Sequence, residues 1–243
     1  MTGADGSPAV EGPTAPRRVE ALRVEARQVE ARQVEALFRD SGALRTGHFK
    51  LKSGRHGTSY LEKFQVLQHP AAVSELCALI AARGRDRDGR VSVDVVVGPT
   101  TGGVILAFET ARQLGTPGFF AEEMRDADGG AARAFRRGFH LAPGQRVLLV
   151  DDILTTGGSL VAMLPPIERA GAELVKAVVL VDRAGGAPAV TSPLSGRAYP
   201  VDALCVLDLP TYEPGAATCP ACAAGEVLET PGSSGAEALP GGA

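Results

Sequence analysis

The feature that most constrains this chain is a recurring alternation of short, continuous apolar runs with longer stretches patterned for helices. SVDVVVG, TPGFFAEE, RVLLVDD, ELVKAVVLVDR and VDALCVL carry apolar residues at consecutive positions, and VILAFETARQLG and SLVAMLPPIERAGA stand between them. A strand that is apolar on both faces must be covered on both faces, and strands joined through helices run parallel. From about residue 35 to 210 the expectation is therefore an α/β fold, an open and mainly parallel sheet flanked by helices.

Two segments flank that region. Residues 1–34 begin with Gly, Pro, Ala and Thr and then repeat RVEAL, RVEAR, QVEAR, QVEAL. Five residues advance a helix by about 500°, so Val19, Val24, Val29 and Val34 spiral around the axis instead of forming one stripe. Such a segment is either a low-complexity, partly helical, solvated extension or a partner-binding helix. Residues 211–243 carry Cys219-Pro-Ala-Cys222 and then a Gly/Ser/Pro/Ala tail that buries little surface and is expected to be disordered.

With 25 basic and 28 acidic residues the net charge is −3, which argues against a protein whose main task is gripping nucleic acid. No run approaches the roughly 20 apolar residues of a membrane helix, and no secretory signal opens the chain, so a cytoplasmic location is expected. Four cysteines are too few for a disulfide framework and suggest reduced thiols or a metal.

The chemistry concentrates in VLLVDDILTTGGSL, Val147 to Leu160. The pattern predicts a strand over 147–150, the acidic pair Asp151 and Asp152, a loop over 153–158 and a helix from about Ser159. Ligands of open parallel sheets bind at the carboxyl ends of strands, where this loop falls. Backbone amides of a tight Thr155-Thr156-Gly157-Gly158-Ser159 turn, three hydroxyls and a helix N-terminus make a pocket for one phosphate dianion. It is not a Walker A loop, since no lysine follows the glycines. Two carboxylates do not favour phosphate, so they serve another part of the same ligand: sugar hydroxyls, or a magnesium ion and its waters. A ligand with a phosphate at one end and a diol in the middle is a ribose 5-phosphate.

This stretch resembles the 5-phosphoribosyl 1-pyrophosphate (PRPP) signature of the type I phosphoribosyltransferases, and the resemblance extends over about 35–210. It implies that fold, with a small N-terminal hood segment. It also implies that Asp151 and Asp152 meet the ribose hydroxyls while Thr155, Thr156, Gly157, Gly158 and Ser159 wrap the 5-phosphate. The family places a pyrophosphate loop after an earlier strand, and VDVVVGPTTGG sits there, with Thr100, Thr101 and Gly102 as its PRPP-binding residues. GHFKLKSGRHGTSYLEK, Gly47 to Lys63, is similar to the N-terminal segment of orotate phosphoribosyltransferases through Phe49, Leu51, Lys52, Ser53, Gly54, Arg55 and Tyr60. The resemblance implies orotate contacts from Lys52, Phe49, Thr155 and Arg183, with PRPP and orotate as substrates, orotidine 5-monophosphate as product, magnesium as cofactor and a homodimer. A phosphoribosyltransferase for a purine or another base, and a non-catalytic PRPP-sensing regulator, remain as alternatives.

Two departures from the family pattern stand out. Its mobile loop carries lysines and a histidine, but here FFAEEMRDADGGAARAFRRGFHL offers Arg125, Arg133, Arg136 and Arg137, with no lysine between Lys63 and Lys176. Arginine clamps phosphate and stays charged, so the loop's electrostatic role survives while proton transfer by it does not. Arg125 is the leading candidate for catalytic closure, and Arg136 and Arg137 are further candidates for binding PRPP. Pro165-Pro166 in the helix after the phosphate loop is expected to kink or end it early. Cys219 and Cys222 supply only half of a structural zinc site, with His48, His56, His69 and His140 distant in sequence; inert turn cysteines or a redox pair are the other readings.

Overall fold

The computed structural model describes residues 15–51, 53–125, 129–186 and 189–231. In chain order the elements are α1 (Ala15–Asp40), β1 (Leu44–Lys50), β2 (His56–Leu61), α2 (Lys63–Leu67), α3 (Pro70–Arg83), β3 (Val95–Pro99), α4 (Gly102–Leu114), β4 (Gly118–Arg125) and β5 (Ala131–Phe135). There follow β6 (Arg146–Leu154), α5 (Gly158–Arg169), β7 (Glu173–Asp182), β8 (Ala189–Thr191), β9 (Ala198–Val206), β10 (Thr211–Tyr212), α6 (Pro220–Ala223) and β11 (Leu228–Glu229).

The continuous apolar runs become the centre of a sheet ordered β5-β4-β3-β6-β7-β9-β8. The five central strands pair in parallel, and β5 and β8 close the edges antiparallel. Alternate residues of each strand serve different cores. Val96, Leu148, Val150, Val178 and Leu180 pack with Phe38, Leu76, Ile80 and Leu106 on one face. Val95, Val97, Val147, Leu149 and Val179 pack with Leu160, Met163, Leu164 and Ile167 of α5 on the other. A second, small sheet ordered β10-β2-β1-β11 forms the hood.

Three boundaries differ from the sequence-based expectation. Helix α1 runs unbroken across position 34, because Val34 and Phe38 are fully buried while Val24 and Val29 remain exposed. The non-stripe valine spiral thus sends only its last turns into the core. An ionic cluster fixes the helix further: Arg83 binds Glu30, and Asp202 of β9 faces Arg27 at 3.0 Å and Arg83 at 3.6 Å. Residues 211–231 fold onto the hood through β10, α6 and β11, with Cys219 and Ala221 buried; the tail from 232 onward lies outside the described residues. Helix α5 continues through Pro165 and Pro166 to Arg169. The prolines lie on its partly exposed side, and the buried face of Leu160, Met163, Leu164 and Ile167 holds the helix to the sheet despite the missing amides.

Truncating a fully buried aromatic removes both transfer energy and packing, so Phe38→Ala should cost about 3–5 kcal/mol of unfolding free energy. Val29→Ala, on the exposed part of the same helix, should stay within about 0.5 kcal/mol of wild type. Urea unfolding of the two variants checks this; equal effects would remove the end of α1 from the core.

Candidate active site

Strand β6 reaches further than its apolar run. The ladder to β7 continues through Asp151↔Val179, Ile153↔Val181 and Leu154↔Asp182, so the acidic pair lies within the strand and the loop is only Thr155–Gly157. Adjacent strand residues point to opposite faces, and the carboxylates follow that rule. Asp152 faces α2 and α4, and Asp151 faces the start of α5, where the Ser159 hydroxyl bonds to it.

Both carboxylates are buried, which is costly unless partners compensate. Lys63, the first residue of α2, donates to Asp152 Oδ1 at 2.9 Å and lies 2.8 Å from Oδ2. Asp151 Oδ1 accepts from the Asp152 amide at 2.9 Å. Burial, and then the negative charge of Asp152, push the Asp151 carboxyl well above its usual range, to about 6. The Asp152 amide, Ser159 and Lys63 oppose that rise.

The two glycine-rich turns meet here. A Cβ on Gly102 would lie 1.8 Å from Asp152 Oδ2, so the start of α4 sits directly on the carboxylate, a closeness that only glycine permits. The Thr100–Thr101 peptide is cis. Arg133 of β5 donates to the Thr100 carbonyl at 3.1 Å and to its hydroxyl at 2.6 Å. In the second turn Thr155 and Thr156 are exposed, and Gly157 adopts a left-handed φ of 77° as it enters α5. The first-turn amides of a helix have no partner within it and attract anions.

The remaining expected residues are distributed unevenly around this centre. Arg183 is exposed, and its amide bonds to the Leu154 carbonyl at 2.8 Å, placing it beside the Thr155 turn. Arg125 is exposed at the end of β4, with Nη1 donating to the Gly129 carbonyl at 2.8 Å. Arg136 and Arg137 follow β5 on the surface, and Arg137 pairs with Glu122. Phe49 is fully buried in the hood, tilted against Tyr60 at 5.6 Å with Arg45 5.1 Å above its ring. Arg55 is engaged by Thr211 and Glu213 and so secures β10. Lys52 lies outside the described residues.

Sequence reasoning passed over Lys63, and among the four loop arginines it put Arg125 first and Arg136 and Arg137 next, leaving Arg133 without a role. The available signal for Lys63 was its position: the last lysine before the long lysine-free stretch, closing the GHFKLKSGRHGTSYLEK segment. Nothing in the linear pattern singled out Arg133, whose contact depends on β5 pairing beside β4 at the sheet edge, within reach of the turn after β3.

An open parallel sheet that gathers two amide-rich turns and an acidic pair at its strand ends defines a protein that holds a phosphorylated sugar. The model of the phosphoribosyl transferase domain family matches residues 64–195. An orotate phosphoribosyltransferase of Chlorobium phaeobacteroides is 39% identical over 197 residues, 81% of this chain and 93% of its own length. One from Pelotomaculum thermopropionicum is 40% identical over 198 residues, covering 82% and 95%. The crystal structure of orotate phosphoribosyltransferase from Aeropyrum pernix shares the fold, with a TM-score of 0.53 at 24% identity over 71% of this chain and 92% of that one. The chain belongs to the phosphoribosyltransferase family, among the orotate phosphoribosyltransferases.

The Asp151 carboxyl holds its proton more tightly when folded, about 6 against an ordinary 3.8. Its contribution to stability is therefore present at low pH and lost as pH rises through about 6. Asp151→Asn stays neutral, so without ligand the variant should gain on wild type by on the order of 2–3 kcal/mol between about pH 4 and 7. Urea unfolding across that range checks it; a difference that does not vary with pH would mean that Asp151 titrates normally.

Proposed function

We propose that this protein transfers the 5-phosphoribosyl group of PRPP to orotate, giving orotidine 5-monophosphate and pyrophosphate, a step of pyrimidine nucleotide synthesis. The observation that carries the reading is the contact of Gly102 with Asp152, which joins a candidate pyrophosphate turn to a carboxylate beside the phosphate turn. The named activity of relatives near 40% identity supports orotate as the acceptor.

In this reading the 5-phosphate lies on the amides and hydroxyls of Thr155, Thr156, Gly157, Gly158 and Ser159. Asp151 and Asp152 accept from the ribose hydroxyls, and Thr100, Thr101 and Gly102 hold the pyrophosphate with Arg133 behind them. Lys52, Arg183 and Thr155 form the orotate side, whereas Phe49, expected there from the sequence, is fully buried and packs within the hood instead. The orotate ring nitrogen bonds to C1 of the ribose and gives up its proton to solvent or to the departing pyrophosphate, while the bond from C1 to the pyrophosphate oxygen breaks and that oxygen keeps the bonding pair. No enzyme nucleophile is required, so catalysis consists of alignment and of cations facing the growing charge. Arg125, with Arg136 and Arg137, is the group suited to close over the leaving pyrophosphate.

Asp151 and Asp152 offer the hard oxygen ligands that magnesium prefers, although Lys63 already neutralises Asp152, which favours a metal held chiefly through PRPP. Magnesium would supply charge neutralisation of the pyrophosphate. A homodimer is supported by an apolar groove of Leu67, Pro70, Val73, Val104, Ile105 and Phe108, the last 69% exposed. The acidic balance fits a cytoplasmic enzyme of small anions with no nucleic-acid partner.

Incubation with PRPP and magnesium should consume orotate and leave adenine, hypoxanthine and uracil unchanged; preference for a purine would overturn the acceptor assignment. Gly102→Ala displaces a buried carboxylate by more than an ångström, so it should lower kcat/KM by at least about 100-fold and also lower the melting temperature by several degrees. Arg125→Ala should lower kcat by about 100-fold while calorimetric PRPP affinity moves little, whereas Arg133→Ala should weaken PRPP binding itself. A swapped pattern would exchange the roles of these two arginines.

A further inference from the structure

The Cys219-Pro-Ala-Cys222 segment, half of a metal site in the linear sequence, acquires its other half from the hood. His48 on β1 and His56 on β2 face each other across the hairpin, with Nε2 of His48 2.8 Å from Nδ1 of His56. Cys222 Sγ lies 3.2 Å from His56 Nδ1 and 3.4 Å from His48 Nε2, and Cys219 Sγ lies 3.7 Å from that same nitrogen. All four donor atoms fall within 4.8 Å of one another. Zinc bonds of about 2.3 Å to sulfur and 2.0–2.1 Å to nitrogen, set tetrahedrally, require donor separations of about 3.3–3.8 Å. These three nitrogen–sulfur separations, 3.2, 3.4 and 3.7 Å, lie close to that tetrahedron, and the nitrogen pair at 2.8 Å must open by about half an ångström.

The surroundings fit a metal better than they fit four free side chains. His48, His56 and Cys219 are buried, where nitrogens and thiols facing one another satisfy each other poorly. The Glu226 carbonyl lies 2.9 Å from His48 Nδ1 and can accept a hydrogen bond from Nδ1–H, which leaves the Nε2 lone pair aimed at the cluster. That is the outer hydrogen bond by which metal-bound histidines are commonly oriented. The other two cysteines, Cys77 and Cys205, lie apart from this cluster inside the apolar core, where burial pushes Cys77 up to about 12 and Cys205 up to about 11.

We propose that His48, His56, Cys219 and Cys222 bind one zinc ion in a closed, structural Cys2His2 site that fastens residues 211–231 to the hood. Four protein ligands leave no position for substrate, so the ion has a structural task. The task is evident from what it joins. Strands β10 and β11 are two residues each, too short to hold a segment in place by pairing alone. The ion would tie them to the β1–β2 hairpin, on whose two strands the histidines sit. Zinc binding itself does not depend on the acceptor proposed above.

The test is zinc analysis and cobalt substitution of the full-length protein, with the matched thiols as controls. One zinc per chain is expected after dialysis without chelator, and the cobalt form should show the visible absorption of a tetrahedral site with thiolate charge-transfer bands. Cys219→Ser should weaken zinc binding by at least about 100-fold, whereas Cys77→Ser and Cys205→Ser retain one equivalent. His56→Cys keeps four donors and should fold and bind zinc even if Cys219→Ser does not fold. Chelation should lower the melting temperature by about 5 °C or more and expose residues 211–231 to protease. A protein that takes up no zinc or tetrahedral cobalt, that carries a Cys219–Cys222 disulfide as isolated, or whose stoichiometric zinc survives Cys219→Ser would overturn the proposal. Loss of orotate transfer with zinc retained would count against the proposed function alone.

Discussion

The arrangement of this molecule depends on one close approach, the start of α4 resting on the Asp152 carboxylate. Gly102 leaves no room for a side chain, and behind it a Cβ on Gly98 would lie 2.4 Å from the Gly103 carbonyl oxygen. The turn after β3 is therefore pressed against β6 by glycines at successive contacts. A buried charge at such a junction is sustained only by an opposite charge, which Lys63 brings from the head of α2. Removing that lysine would leave the carboxylate buried and uncompensated, so the hood connection and the sheet are linked electrostatically as well as by packing.

Placing Asp151 and Asp152 inside β6 gives the site its rigidity. The parallel ladder fixes their backbone, and each carboxylate emerges toward a different glycine turn. Asp152 has Lys63 as its ionic partner, while burial and then its neighbour's negative charge push the Asp151 carboxyl up to about 6. A diol offering hydroxyl donors to both acids would relieve the repulsion between them. The surrounding cations sit on more exposed ground. Arg125 and Arg137 bond within their own hairpin, and Arg133 alone reaches across to the β3 turn.

The hood has the opposite character. Its sheet is small, and its cohesion comes from side chains: Arg45 with Glu229, Arg55 with Thr211 and Glu213, and the histidine–cysteine cluster. The charged motif that resembles an orotate-binding segment therefore divides in use. Arg55 holds the C-terminal segment, and Phe49 is buried within the hood.

What the sequence determined by itself was everything that depends on local pattern. Continuous apolar runs required a doubly covered parallel sheet, and the acidic pair followed by a hydroxyl-rich glycine turn announced a sugar phosphate at a strand end. Local pattern also made the valine spiral of α1 non-amphipathic, but it could not say that Val34 and Phe38 would find a core, because burial is decided by what packs opposite. Tertiary structure alone brought Lys63 to Asp152, Arg133 to Thr100, and His48 and His56 to Cys219 and Cys222, pairs separated by 33 to 174 positions along the chain. Such contacts are set by strand order and by the folding back of hairpins, which bring chain-distant side chains within a few ångströms while leaving no periodic trace in the residues themselves.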